Sequence, residues 1–365
     1  MRHTILSVGY PFTAVGADAV GGSEQVLAAL DRALTEAGHR SIVIAAEGSR
    51  ICGTLIPSPG LAERLDGPAH EWGRLVHQQL IRETLNSYPV DLVHMHSLDF
   101  HHYLPPGDVP VLATLHLPPD WYPQSIFNIK RSRFGMNCVS RTQNRSCPNS
   151  PLLVAPVGNG VDTTRLCPSN SPKGSYALTL GRVCPEKGFH LAMDAARTAG
   201  IPLLVAGQVF PYQWHIEYFD REIRPRLGPE CRFLGPVKFA RKRSLLSRAT
   251  CLVIASTVAE TSSLVAMEAL SCGTPVVAFR AGALPEIVEH GQTGFIVDDP
   301  SELADAMRSA ASLSSEACRQ AAVSRFSART MAARYFALYD QMMAPISQTR
   351  TPSLAGADRE CAATS

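Results

Sequence analysis

Short runs of apolar, β-branched residues return at intervals along this chain, and helical patterns with apolar positions three and four apart lie between them. In the first half the runs are HTILSVGY, SIVIAA, DLVHMH, VLATLH, MNCVS and LLVAP; in the second they are YALTLG, PLLVAG, RFLG, CLVIAS, PVVAF and GFIV. Between the first two, SEQVLAALDRALTEAGH places Val26, Leu27, Leu30, Ala33 and Leu34 on one helical face and stops at Gly38. Strand, helix and strand recurring twice over predicts an α/β fold class with two Rossmann-like, doubly wound units.

The break between the units falls in PVGNGVDTTRLCPSNSPKGS, rich in Pro, Gly, Ser and Asn. The expected division is a first unit over 1–157, a linker over 158–174, a second unit over 175–324, and an amphipathic helix over 325–345 that crosses back toward the first unit. The small, polar residues of 346–365 predict a disordered tail. A chain of 365 residues is long enough for two such cores. With 45% apolar residues, 18% charged residues and a net charge of +2, nothing calls for a nucleic-acid partner. The opening apolar run ends at Gly9 and Pro11, too short for a signal sequence or a membrane span, so the expected location is cytoplasmic. Ten cysteines without a C-x-x-C pair suggest neither a zinc ribbon nor a redox motif.

Open α/β sheets bind ligands beyond the carboxyl ends of their strands, which directs attention to the loops there. After YALTLG, the segment RVCPEKG sets Arg182 and Lys187 at the mouth of a helix, either as a diphosphate site or as two solvated cations. After CLVIAS comes AETSSLVAME. With Ser262 as N-cap, the amides of Ser263, Leu264 and Val265 are open to a phosphate, and Glu268 lies roughly 7 Å further along the axis, at the depth of a ribose. Glu260 then faces the cleft; the plainer reading leaves Glu268 a solvated helix residue and Glu260 a loop acid. In the first unit, Gly16, Gly21 and Gly22 precede a helix, where absent side chains admit a phosphate or sugar or simply make a turn.

Histidines crowd HMHSLDFHH, but His94 and His96 share a strand face without the carboxylates or thiolates of a metal centre, and no metal is expected. His116, at the end of VLATLH, is the preferred functional histidine. Two basic clusters, one with Lys130, Arg131, Arg133, Arg141 and Arg145 and one in KFARKRSLLSR, read as solvated faces or as contacts for an anionic acceptor or lipid surface.

NGVD (159–162), GRVCPEKG (181–188), E-x7-E in AETSSLVAMEALSCGTPVVAF and GALPEIVEHGQTGFIV, in this order and spacing, resemble glycosyltransferase family four; GGSEQ (21–25) and ATLHLP (113–118) are similar too. The resemblance implies a GT-B fold, two Rossmann-like domains facing across a cleft, and transfer of a hexose-type sugar from UDP or GDP to a carbohydrate, lipid-linked or natural-product acceptor with retention. It implies Arg182 and Lys187 on the donor diphosphate and Glu268 on the ribose. Glu260 and His116 meet the sugar, and Gly22, Ser263, Leu264 and Val265 lie along the donor. Gly16 and Gly21 lie toward the acceptor. No D-x-D motif occurs, so cations rather than a metal are expected to neutralise the diphosphate, with no cofactor beyond the nucleotide-sugar substrate. The chain departs from the family at Glu260-Thr261-Ser262-Ser263, where Glu-Pro-Phe-Gly is common, and this bears on the sugar pocket. Rival expectations are a nucleotide-sugar epimerase, a phosphorylase, or a non-catalytic nucleotide-sugar-binding subunit.

Overall fold

The computed structural model describes residues 2–59, 67–169 and 172–344. The described strands form two parallel sheets of six. The first contains β1 (Thr4–Val8), β2 (Arg40–Ala46), β3 (Thr54–Ser58), β4 (Leu92–Met95), β5 (Val111–Leu115) and β6 (Phe134–Cys138), in the order β3-β2-β1-β4-β5-β6. The second contains β7 (Ala177–Arg182), β8 (Leu203–Gln208), β9 (Cys231–Gly235), β10 (Leu252–Ile254), β11 (Val276–Phe279) and β12 (Gly294–Val297), in the order β12-β11-β10-β7-β8-β9. Both sheets change winding direction beside their first strand, so each opens a crevice there at its carboxyl edge. The central strands are buried on both faces, as in β1 with Ile5, Leu6 and Val8 and in β10 with Leu252 and Val253, which explains their near-continuous apolar runs.

Two strand expectations are corrected. LLVAP is not a strand: it makes one isolated bridge, Met136 to Leu153, along the outer edge of β6, between Pro151 and Pro156, which have no amide to donate. The sixth strand is instead β3, TLIPS. Its residues are largely exposed or half-buried, so it carries no long apolar run, and Pro57 is tolerated because β3 is an edge strand.

The crossing helix expected over 325–345 is Ala328–Met343; the helix Ser315–Phe326 ends just before it, and Ser327 between the two caps the crossing helix by accepting from Thr330 N at 3.1 Å. At the break Val161 N donates to Phe326 O and Ala328 N to Val161 O, both at 2.8 Å, so the two interdomain passages of the chain run side by side. The last helix then buries Met331, Ala332, Tyr335, Leu338 and Tyr339 against Ile5, Val26, Leu30 and Leu112 of the first unit. His3 and Asp340 approach to 3.5 Å on the same face. The expected tail at 346–365 lies outside the described residues, as do 170 and 171 of the linker. No helix among the described residues is long and apolar enough to cross a membrane.

Candidate functional site

At the carboxyl edge of the second sheet, Arg182 ends β7 and is exposed; its guanidinium has no hydrogen bond or ion pair among the described residues. Lys187 closes the turn Pro185–Lys187 that follows, and its Nζ meets Glu260 Oε1 at 2.5 Å. Ser256 Oγ also donates to that carboxylate oxygen. The backbone of Glu260 is fixed by Gly282, which has φ +58° and leaves room where a Cβ would stand 2.2 Å from Glu260 O; Ala283 N donates to the same carbonyl at 2.8 Å. The structure thus brings Lys187 and Glu260, which lie in different loops, into direct contact.

The helix Leu264–Ser271 starts one residue later than the N-cap expectation. Ser263, with extended backbone at φ −140°, is the N-cap and its Oγ accepts from Ala266 N at 3.4 Å, whereas Ser262 Oγ is buried without a partner. The open amides at the helix start are those of Leu264 and Val265. Glu268 is not a solvated helix residue. It is 5% exposed and its Oε1 takes Lys242 Nζ at 2.5 Å. Lys242 lies in the basic cluster KFARKRSLLSR, whose composition suggested a surface; only its position on the inner face of the helix Phe239–Arg248 makes it a partner of Glu268. Arg165 stacks over the Phe239 ring at 4.2 Å beside this pair. Glu268, Leu264 and Phe239 line a cavity of about 1060 Å³ whose opposite wall is the β1 loop with Gly16 and the helix Gly22–Glu36.

The first sheet meets this site directly. A Cβ on Gly22 would stand 3.4 Å from Leu264, so the GGSEQ turn lies against the N-terminus of the Glu268 helix. At Gly21, the space a side chain would take is filled by the carboxylate of Glu24, which accepts from Thr13 Oγ1 at 2.7 Å and Ser23 Oγ at 2.9 Å. His116 follows β5, and its carbonyl accepts from Thr261 Oγ1 at 2.9 Å, which sets it beside the loop of Glu260. Burial brings the His116 imidazole down to about 4, so it is neutral at pH 7. Glu286, in the GALPE segment, crosses to the helix Arg141–Ser146: its carboxylate accepts from Thr142 N at 2.5 Å and Arg141 N at 3.2 Å. That interdomain cap carries no sequence signal, because the two segments lie far apart in the chain.

Three cations of the first basic cluster are engaged internally. Arg131 donates to Pro105 O and Val109 O, Arg133 to Met342 O and Met343 O at the end of the last helix, and Arg141 pairs with Glu286. No group of three His, Cys, Asp or Glu side chains suited to a metal occurs among the described residues.

Two family models match in tandem, "Glycosyltransferase Family 4" over residues 20–156 and "Glycosyl transferases group 1" over 174–312. The chain belongs to glycosyltransferase family 4. Glycogen synthase of Mycobacterium tuberculosis is 34% identical over 195 residues, 49% of this chain and 46% of that protein. D-inositol 3-phosphate glycosyltransferase 2 of Catenulispora acidiphila is 30% identical over 182 residues, 43% of this chain and 42% of that protein. Each match covers about half or less of either partner. Across the whole fold, AviGT4, a glycosyltransferase involved in avilamycin A biosynthesis, superposes with a TM-score of 0.72 at 26% identity, covering 94% of this chain and 98% of that one. HepE of Anabaena, solved with UDP and glucose, has a TM-score of 0.70 at 19% identity over 93% of this chain and 100% of its own, and supports the GT-B fold.

Proposed function

We propose that this family-4 protein moves a hexose-type sugar from a nucleotide diphosphate sugar to an acceptor, with retention at the anomeric carbon. The units expected at 1–157 and 175–324 serve as acceptor and donor domains in this reading. The observation that carries it is the charge arrangement at the second sheet. An unpaired guanidinium ends β7 and a lysine held by a single carboxylate follows it, two open amides start the Leu264–Ser271 helix, and on that helix the buried Glu268, with Leu264, lines a large cavity. A nucleoside diphosphate matches that order. Its phosphates take the amides of Leu264 and Val265 together with Arg182 and Lys187, and its ribose diol donates to Glu268.

As the bond from anomeric carbon to phosphate oxygen breaks, negative charge grows on the diphosphate and positive charge on the sugar. Arg182 and Lys187 stabilise the first, which is the largest contribution available in this site. Lys187 can serve both partners: paired with Glu260 before binding, it turns its charge to the diphosphate and leaves the Glu260 carboxylate free to accept from sugar hydroxyls. HepE was solved with UDP-glucose as well as with UDP, which makes a uridine nucleotide sugar the first donor to try. The GALPE cap from Glu286 and the bond from Thr261 to His116 bridge the two units beside the proposed donor site. A thermal-shift panel of UDP-, GDP- and ADP-sugars is the direct test. Selective stabilisation by one nucleotide sugar is expected, and no stabilisation by any of them at millimolar concentration contradicts the proposal.

A further inference from the structure

The carboxyl edge of the first sheet carries a buried network whose proton positions follow from its partners. Thr114 Oγ1 donates to Asn137 Oδ1 at 2.7 Å, so toward His94 Nε2, also at 2.7 Å, it can only accept. His94 therefore carries its proton on Nε2, and its bare Nδ1 accepts from Tyr339 Oη at 2.8 Å. His96, two residues on and on the same face, has its ring centroid 3.9 Å from that of His94. His96 Nδ1 meets His116 Nε2 at 3.0 Å, and His96 Nε2 is buried without any partner.

One proton lies between His96 and His116, and two placements are available. If it belongs to His116 Nε2, the proton of neutral His96 must sit on its Nε2, an N–H buried with no acceptor. If it belongs to His96 Nδ1, the orphan atom is a bare lone pair. Interiors tolerate unsatisfied acceptors better than orphaned N–H groups, which decides for the second placement. His116 then carries its own proton on Nδ1, the ring atom that has no protein partner and is not among the buried orphans. His116 is half-buried, and its carbonyl is tied to Thr261 in the loop that holds Glu260.

We infer that His96 is a positioning residue that locks His116 in the tautomer bearing its proton on Nδ1, so that His116 meets the donor sugar as a neutral hydrogen-bond donor and not as a base. This rests on the proposed donor site and deepens it: the sugar must present an oxygen, a hydroxyl or its equivalent, to the His116 N–H. A sugar lacking an oxygen at that position loses the contact.

The test has two arms on the full-length protein. In ¹⁵N NMR of histidine-labelled protein at pH 7, with His116→Gln identifying the resonances by their loss, His116 should show a protonated Nδ1 and a bare Nε2. A protonated Nε2 overturns the inference. In the second arm, His96→Leu should release the ring to a mixture of tautomers and lower turnover of the nucleotide sugar roughly tenfold, the scale of one lost hydrogen bond, while the dissociation constant of the free nucleoside diphosphate stays within about twofold. Unchanged turnover with a changed tautomer overturns the role in the reaction. Absence of turnover in the wild-type protein counts against the proposed function alone, because the NMR arm still decides the tautomer.

Discussion

The two sides of the cleft are built from the same strand order yet handle polarity in opposite ways. The second sheet presents charge: Lys187 against Glu260 and Lys242 against Glu268, each cation within 2.5 Å of its carboxylate, with Arg182 unpaired beside them. The first sheet presents neutral groups: His94, held well below the ordinary histidine range by burial and then by His116, is joined to Thr114, Asn137 and two tyrosines, and His96 is held low by burial and then by His94 and His116. A diphosphate needs cations, whereas a sugar hydroxyl takes fixed donors and acceptors, charged or neutral. Under the proposed function, the difference between the sides matches the two ends of one substrate, its anionic nucleotide and its neutral sugar.

Disturbing the charged side should have the largest effect. Lys187→Ala removes one of the two cations proposed to hold the leaving diphosphate, and turnover should fall on the order of 10²- to 10³-fold in a coupled nucleotide-release assay. A fall in turnover of less than threefold would move the diphosphate elsewhere.

Lys242→Met tests the other ion pair. It leaves a carboxylate buried without its partner, so the unfolding free energy in urea should drop by about 3 kcal/mol. Adding Glu268→Gln should restore part of that loss, since the stranded charge goes with it, while nucleotide affinity stays low. Equal stability of the single variant and wild type would mean that Glu268 is more hydrated than its burial indicates.

The neutral side should reveal itself in pH dependence. His77, buried against Gly9 O, is brought down to about 4 by burial, below the value near 6.5 of the unfolded chain. The unfolded chain therefore binds a proton first as pH falls, and stability present above pH 6.5 is lost progressively toward pH 4. His77 alone accounts for about 2 kcal/mol between pH 6.5 and pH 5, and His94 and His96 act in the same direction. Denaturation midpoints at pH 7 and pH 5 measure this; equal midpoints would mean that these rings are already protonated or solvated in the folded state.

The smallest effect is expected at the seam. Glu286→Ala deprives the helix Arg141–Ser146 of its interdomain cap and should cost about 1 kcal/mol, read from the urea midpoint, with increased proteolysis in the linker. No change in either would show that the last helix, rather than Glu286, holds the domains together.

Much of this was legible in the sequence because it was local. The central strands announced themselves as apolar runs, and the E-x7-E and EKG segments carried their order in the chain. What escaped depended on distance or on an edge. β3 is a half-exposed edge strand without an apolar run, and Lys242 was hidden in a basic cluster until its helix face met Glu268. Thr261 departs from the family pattern and looked like a change in the sugar pocket alone. In the fold it also ties the donor loop to His116 across the cleft. The N-cap fell on Ser263 rather than Ser262 because either serine satisfies the sequence rule, and only backbone angles choose between them.

The central claim is that Lys187 and Glu268 hold a nucleoside diphosphate. Calorimetric titration of the nucleoside diphosphate chosen by the thermal-shift panel, run on wild type, Lys187→Ala and Glu268→Ala, tests it most directly. The account predicts measurable binding to wild type and a loss of at least tenfold in affinity in each variant, with both variants folded by circular dichroism. Unchanged affinity in folded Lys187→Ala and Glu268→Ala would contradict it.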